Sequence, residues 1–145
     1  MGTHCRTGSH EVRVPDTVFF RENGFSKDPV LVQWMATLKC SLTCDHCLSW
    51  NSAGAYEEMS LEMVQNLLDQ VSEMSIREFL LTGGEPLERE DLPEVICSMD
   101  QLDIPWSLNT ARMPSFMQRK AIEKNPPGFV AVSLDGPSEN HDSFR

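Results

Sequence analysis

Residues 31–47, LVQWMATLKCSLTCDHC, join the two signals that decide how this chain is read. Leu31 to Leu38 is apolar and β-prone enough for a buried strand, and it runs straight into Cys40. Cys40, Cys44 and Cys47 then follow in a C-x3-C-x2-C pattern on the loop after that strand. Working outward, Ser60 is placed to cap a helix whose Leu61, Val64, Leu67, Leu68, Val71 and Met74 share one face. Glu78 to Thr82 reads as a second strand, closed by Gly83 and Gly84. Asp91 starts the next helix, with Glu94 in a capping-box position and Leu92, Val95, Ile96 and Met99 as its apolar stripe.

Ile104 to Thr110 reads as a third strand and Met113 to Lys124 as a weaker helix, with Phe116, Met117, Ala121 and Ile122 at its apolar positions. Pro126, Pro127 and Gly128 stop that helix. Phe129 to Leu134 is a fourth strand, after which Asp135, Gly136 and Pro137 turn the chain away. The order βαβαβαβ implies a parallel sheet with right-handed helical crossovers. Residues 1–28 are mixed and polar and read as a lead-in or arm, leaving 29–145 as the folded core.

Thiolates suit iron–sulfur clusters and zinc. A structural zinc site draws four ligands, usually from two paired clusters, and the second pair is missing here. His46 adjoins Cys47 and is poorly placed as a fourth ligand, and Cys97 falls on a predicted helix. Three thiolates on a four-iron cluster leave one iron open for a small molecule. Zinc, or chance clustering, remains the alternative. The turn Thr82-Gly83-Gly84-Glu85-Pro86-Leu87 is a second signal. Its glycines allow a tight turn with peptide groups exposed to a ligand, and Glu85 adds a carboxylate where parallel sheets bind ligands.

Composition narrows the function classes. The formal charge of −10 over 145 residues argues against nonspecific contact with nucleic acid or an anionic membrane surface. No run of apolar residues is long enough to span a membrane, and Met1 to His10 has no signal-like apolar region, so the expected place is the cytoplasm. The odd count of five cysteines does not look like a disulfide framework.

The Cys40, Cys44, Cys47 spacing followed by Gly83-Gly84-Glu85-Pro86 resembles the radical S-adenosylmethionine (SAM) superfamily. The resemblance implies a partial TIM-like (βα) barrel, here truncated after about four strands. It implies a [4Fe–4S] cluster on the three cysteines whose open iron chelates SAM. It also implies reductive cleavage of SAM to methionine and a 5′-deoxyadenosyl radical that takes a hydrogen from substrate. An electron donor such as flavodoxin or ferredoxin goes with that chemistry. By the same resemblance His46 flanks the adenine, and Gly83, Gly84 and Glu85 receive the methionine amino group. Asn109 is a polar position near SAM, and Ser133 and Asp135 reach its ribose.

Ser133-Leu134-Asp135-Gly136 with His141-Asp142 and Phe144-Arg145 is similar to the branch that often carries a C-terminal SPASM extension. That branch includes peptide maturases, with relatives that act on haem precursors, so a peptide or small-molecule substrate is implied. The extension and its auxiliary cysteines are absent from these residues. The fourth strand is expected to offer an unpaired edge to an oligomer or to a complementing C-terminal half. The rival from another class is a non-catalytic zinc- or cluster-binding module; a third is a degenerate barrel kept for protein contacts.

Overall fold

Alternation of side chains along each strand and a single apolar stripe on each helix produce the architecture directly. The computed structural model describes residues 31–47 and 57–145; the expected lead-in over 1–28, with Cys5, lies outside the described residues. Its elements are β1 (Leu31–Thr37), α1 (Leu61–Ser72), β2 (Glu78–Gly83), a 3-10 turn (Pro86–Glu88), α2 (Leu92–Gln101), β3 (Trp106–Thr110), α3 (Phe116–Lys124), β4 (Phe129–Val132) and α4 (Ser138–Phe144). The four strands are parallel and pair in the order β1-β2-β3-β4. This is the succession of a partial TIM-like (βα) barrel.

Register divides the sheet into two unlike faces. Trp34, Leu81 and Leu108 follow one another across β1, β2 and β3, and Phe79 stands beside Trp106. All five are buried, beneath Val64, Leu68 and Val71 of α1 and Leu92, Val95, Ile96 and Met99 of α2. The other face carries Gln33, Met35, Glu78, Leu80, Ser107, Asn109 and Phe129. Gln33, Met35, Asn109 and Phe129 are exposed on it.

Under the covered face lies a buried cation. Arg89 has no exposed surface. Its guanidinium donates to the carbonyls of Ala36 (2.9 Å) and Met59 (2.8 Å), pairs with Asp91 and sits over the Trp34 ring. Those contacts change the expected start of α2. Asp91 is its N-cap residue but makes no side-chain cap bond, because its carboxylate is turned to the guanidinium. A buried charge left unpaired costs more than a lost cap.

Two other expectations are corrected. In α3, Phe116 and Met117 are 69% and 62% exposed, while Gln118 is buried. The inward face is Gln118, Ala121, Ile122 and Asn125, with helical spacing and two polar members. Gln118 donates to the Leu87 carbonyl (2.8 Å) and Asn125 to that of Ile96 (3.3 Å). Gln118 also closes a capping box with Ser115, which starts the helix there rather than at Met113. The segment after β4, expected as turns, forms α4 behind Pro137.

Candidate functional site

The C-terminal ends of β1, β2 and β3 are joined by main-chain and carboxylate hydrogen bonds, and the cysteine loop grows out of this join. Beyond β1 the chain runs against the turn that closes β2. The Gly84 N–H donates to the Thr37 carbonyl (2.7 Å) and the Glu85 N–H to that of Lys39 (2.9 Å). The approach requires the two glycines. A Cβ on Gly83 would lie 2.3 Å from the Thr37 oxygen, and one on Gly84 would lie 2.4 Å from the Lys39 oxygen. Gly83 also holds φ at +135°, a conformation L side chains rarely adopt. The glycines were expected to expose peptide groups to a ligand. Two of the N–H groups of this turn are instead spent on the chain that leads into Cys40.

Glu85 is 1% exposed. Its Oε1 accepts from the Thr110 hydroxyl (2.7 Å) and the Leu87 N–H (3.0 Å), and its Oε2 accepts from the Ala111 N–H (2.9 Å). A carboxylate offers about four lone-pair positions, so these three bonds leave one acceptor position, on Oε2. Glu85 therefore ties the end of β2 to the end of β3 and keeps capacity for one further donor. Glu88 extends the same join: it accepts from the Ser41 N–H (3.0 Å), inside the cysteine loop, and pairs with Arg112. The Ser41 hydrogen bonds, and then Arg112, hold the Glu88 carboxyl below the ordinary carboxylate range.

Cys40, Cys44 and Cys47 are free thiols, all half-buried. A turn in which the Cys47 N–H donates to the Cys44 carbonyl (3.0 Å) holds the last two near each other. Burial pushes the Cys40 thiol up, and the charges of Glu85, Cys44 and Glu88 add to that push against a backbone hydrogen bond at Leu42. Cys97 lies on α2 and is disulfide-bonded, and so it is not a fourth thiolate for this loop.

The donor set of three free thiols on one short loop fits an iron–sulfur cluster. Among the described residues, no group of three His, Cys, Asp or Glu side chains is gathered around a position for a single metal ion. A cluster makes a different demand, since its thiolates bind separate irons.

The remaining candidates fall at the same end of the sheet. His46 is exposed and stacks on Phe144, with ring centroids 4.6 Å apart and planes 23° from parallel. Asn109 is exposed on the open face of β3. Ser133 follows β4 and donates its N–H to the Thr110 carbonyl (2.9 Å). Asp135 pairs with Arg145, and its N–H donates to His141 Nδ1 (3.3 Å). Arg145 holds the Asp135 carboxyl below its ordinary range.

Sequence reasoning missed Thr110, Glu88, Arg112 and the contact of Arg145 with the cysteine loop. The partners of each are far away in sequence, and only the Phe144-Arg145 pair carried a family signal. No described helix is long and apolar enough to cross a membrane.

Three comparisons bear on this arrangement. The model of the Radical SAM superfamily matches residues 34–145. The chain is 34% identical over 125 residues to an Fe-coproporphyrin III synthase of Methanosarcina barkeri, covering 83% of this chain and 31% of that protein. It is 28% identical over 135 residues to the mycofactocin maturase MftC of Mycolicibacterium smegmatis, covering 91% and 34%. Among solved structures it is similar to anSMEcpe with bound AdoMet, with a TM-score of 0.64 and 26% identity over 79% of this chain and 34% of that one. The chain thus spans about a third of the length of these relatives.

Proposed function

Because this chain belongs to the radical SAM superfamily, we propose that it is the cluster- and SAM-binding front of an enzyme that cleaves SAM reductively. The carrying observation is the loop of three free thiols, pinned at the open end of a parallel sheet by the Gly84, Glu85 and Glu88 hydrogen bonds. Cys40, Cys44 and Cys47 hold the [4Fe–4S] cluster. When bound, the cluster supplies one electron that splits SAM to methionine and a 5′-deoxyadenosyl radical able to take a hydrogen from substrate.

The chain's own residues orient the ligand. Glu85 keeps one acceptor position for the methionine ammonium group, beside the Gly83-Gly84 turn. His46 supplies a ring for the adenine, in exchange for or in addition to its stack on Phe144. Asn109, Ser133 and Asp135 line the same end of the sheet and serve the polar remainder of SAM. The open face, with Gln33, Glu78, Ser107 and Asn109, is the side presented to substrate. A peptide or a haem precursor is the substrate class we propose, in the cytoplasm, with a flavodoxin or ferredoxin as electron source. The exposed edge of β4 takes the remaining strands of the barrel, or a second copy.

Anaerobic reconstitution tests this reading. Wild-type chain should hold close to four irons, and Cys44→Ala should lose most of them. SAM should change the EPR spectrum of the reduced cluster, because it ligates the open iron. Equal iron in the variant, or a spectrum indifferent to SAM, overturns the proposal.

A further inference from the structure

The last residue of α4 and its C-cap, Phe144 and Arg145, reach back onto the cysteine loop. Phe144 stacks on His46, the residue before Cys47. Arg145 points its Nη1 at the Cys44 sulfur, 3.9 Å away, while its Nε pairs with Asp135. The guanidinium side chain is only 14% exposed, although it belongs to the C-cap residue of a short surface helix. It is held by two named groups, Asp135 beyond the exit of β4 and Cys44 of the cysteine loop.

We propose that Arg145 is a positioning residue for the cluster, fixed by Asp135 so that its N–H group is donated to the Cys44 sulfur and raises the cluster's reduction potential. The inference rests on the cluster reading above and goes beyond it by assigning a residue outside both motifs. The physical basis is simple. Reduction adds a negative charge to the cluster. A cation and N–H donor beside one ligand sulfur favours that state, and hydrogen bonds to sulfur are among the determinants of cluster potential. Arginine suits the task because its planar fork can serve a carboxylate with one edge and the sulfur with the other, which a lysine point charge does not. The dock also couples the exit of β4 to the cysteine loop, so a segment about a hundred residues away in sequence tunes the loop.

The test is an EPR-monitored redox titration of the reconstituted full chain as wild type, Arg145→Gln and Arg145→Lys. Iron content and thermal unfolding are measured alongside. Arg145→Gln should keep its iron and show a roughly tenfold smaller reduced-to-oxidised ratio at the wild-type midpoint, about 59 mV lower for a one-electron couple. Arg145→Lys, which keeps the charge and loses the fork, should fall between the two. A merely structural role would alter unfolding and leave the potential in place. If Arg145→Gln loses its cluster, the Lys variant carries the test alone. Potentials equal to wild type in every variant that retains iron overturn the inference and leave the cluster reading standing. A wild-type chain that takes up no cluster overturns both.

Discussion

The two faces of the sheet are made by alternate residues of the same strands, and they differ in almost every physical respect. On one, Trp34, Phe79, Leu81, Trp106 and Leu108 are closed off by α1 and α2, and the buried Arg89 beneath them has its charge matched by Asp91. On the other, Gln33, Met35 and Asn109 stand exposed, and Ser107 is buried only with Glu78 as its hydrogen-bond partner. A parallel sheet is normally covered on both sides. The covered face is therefore where stability resides, and the open face contributes less to it. The cysteine loop stands at the rim between them, tied down by groups that belong to neither stripe.

That contrast is most easily broken on two consecutive residues of β2. Leu81, fully buried on the covered face, should lose about 2–5 kcal/mol on replacement by Ala. Leu80, half-buried on the open face, should lose well under half as much on the same change. Chemical denaturation of both variants measures the ratio, and equal losses would mean that the open face is packed as tightly as the other.

The next effect is at the rim. Gly84→Ala drives a Cβ to within 2.4 Å of the Lys39 oxygen and 2.8 Å of the Leu38 oxygen, both backbone atoms that cannot rotate away. We expect a cost of about 1–3 kcal/mol. Iron retention after reconstitution should fall as well, because the displaced segment carries Cys40. A variant as stable and as iron-rich as wild type would show that the close approach does not position the loop.

At the β4 edge the expected stability change is small and the change in association is not. Val132 is 57% exposed, so Val132→Lys should shift stability by no more than about 0.5 kcal/mol. Size-exclusion chromatography should show less self-association, since lysine blunts an open edge. Increased association would count against this edge as the contact surface.

The smallest effect is electrostatic. Glu88 is held below its ordinary range, so its tether to Ser41 is fully present above the unfolded carboxylate value of about 4.3 and is lost as pH falls through the lower folded value. The group is close to solvent, and screening keeps its share of stability slight. Denaturation midpoints of wild type and Glu88→Gln should therefore converge on acidification, with the difference between them constant from pH 6 to pH 8. A difference that grows on acidification would reverse the assigned sign.

Several parts of this structure were readable from residue order alone. The β1 apolar run, the Leu61–Val71 stripe and the Leu92–Met99 stripe are local periodicities, and local periodicity is what a sequence displays. The three-cysteine spacing and the Gly-Gly-Glu-Pro turn were readable for the same reason: their chemistry is contained in a few adjacent residues. By contrast, the inward face of α3 is not legible in sequence because it includes Gln118 and Asn125, whose burial is made tolerable by carbonyls on the 3-10 turn and α2. Residues 138–144 read as turns in sequence because they are polar, and the contacts at the end of helix α4 are with a loop far away in sequence.

What the sequence determined by itself, then, was the alternation of β1 to β4 with α1 to α3 and the spacing of the three cysteines, since both follow from neighbours along the chain. Only tertiary structure decided what the glycines and Glu85 are for locally. The glycines make room for the Thr37–Lys39 backbone, and Glu85 gives three of about four acceptor positions to Thr110, Leu87 and Ala111. Tertiary structure likewise placed Arg145 on Cys44 and Arg89 under the sheet. The physical reason is common to all of them: a hydrogen bond or ion pair takes its value from the partner it meets, and these partners meet only once the strands are in register.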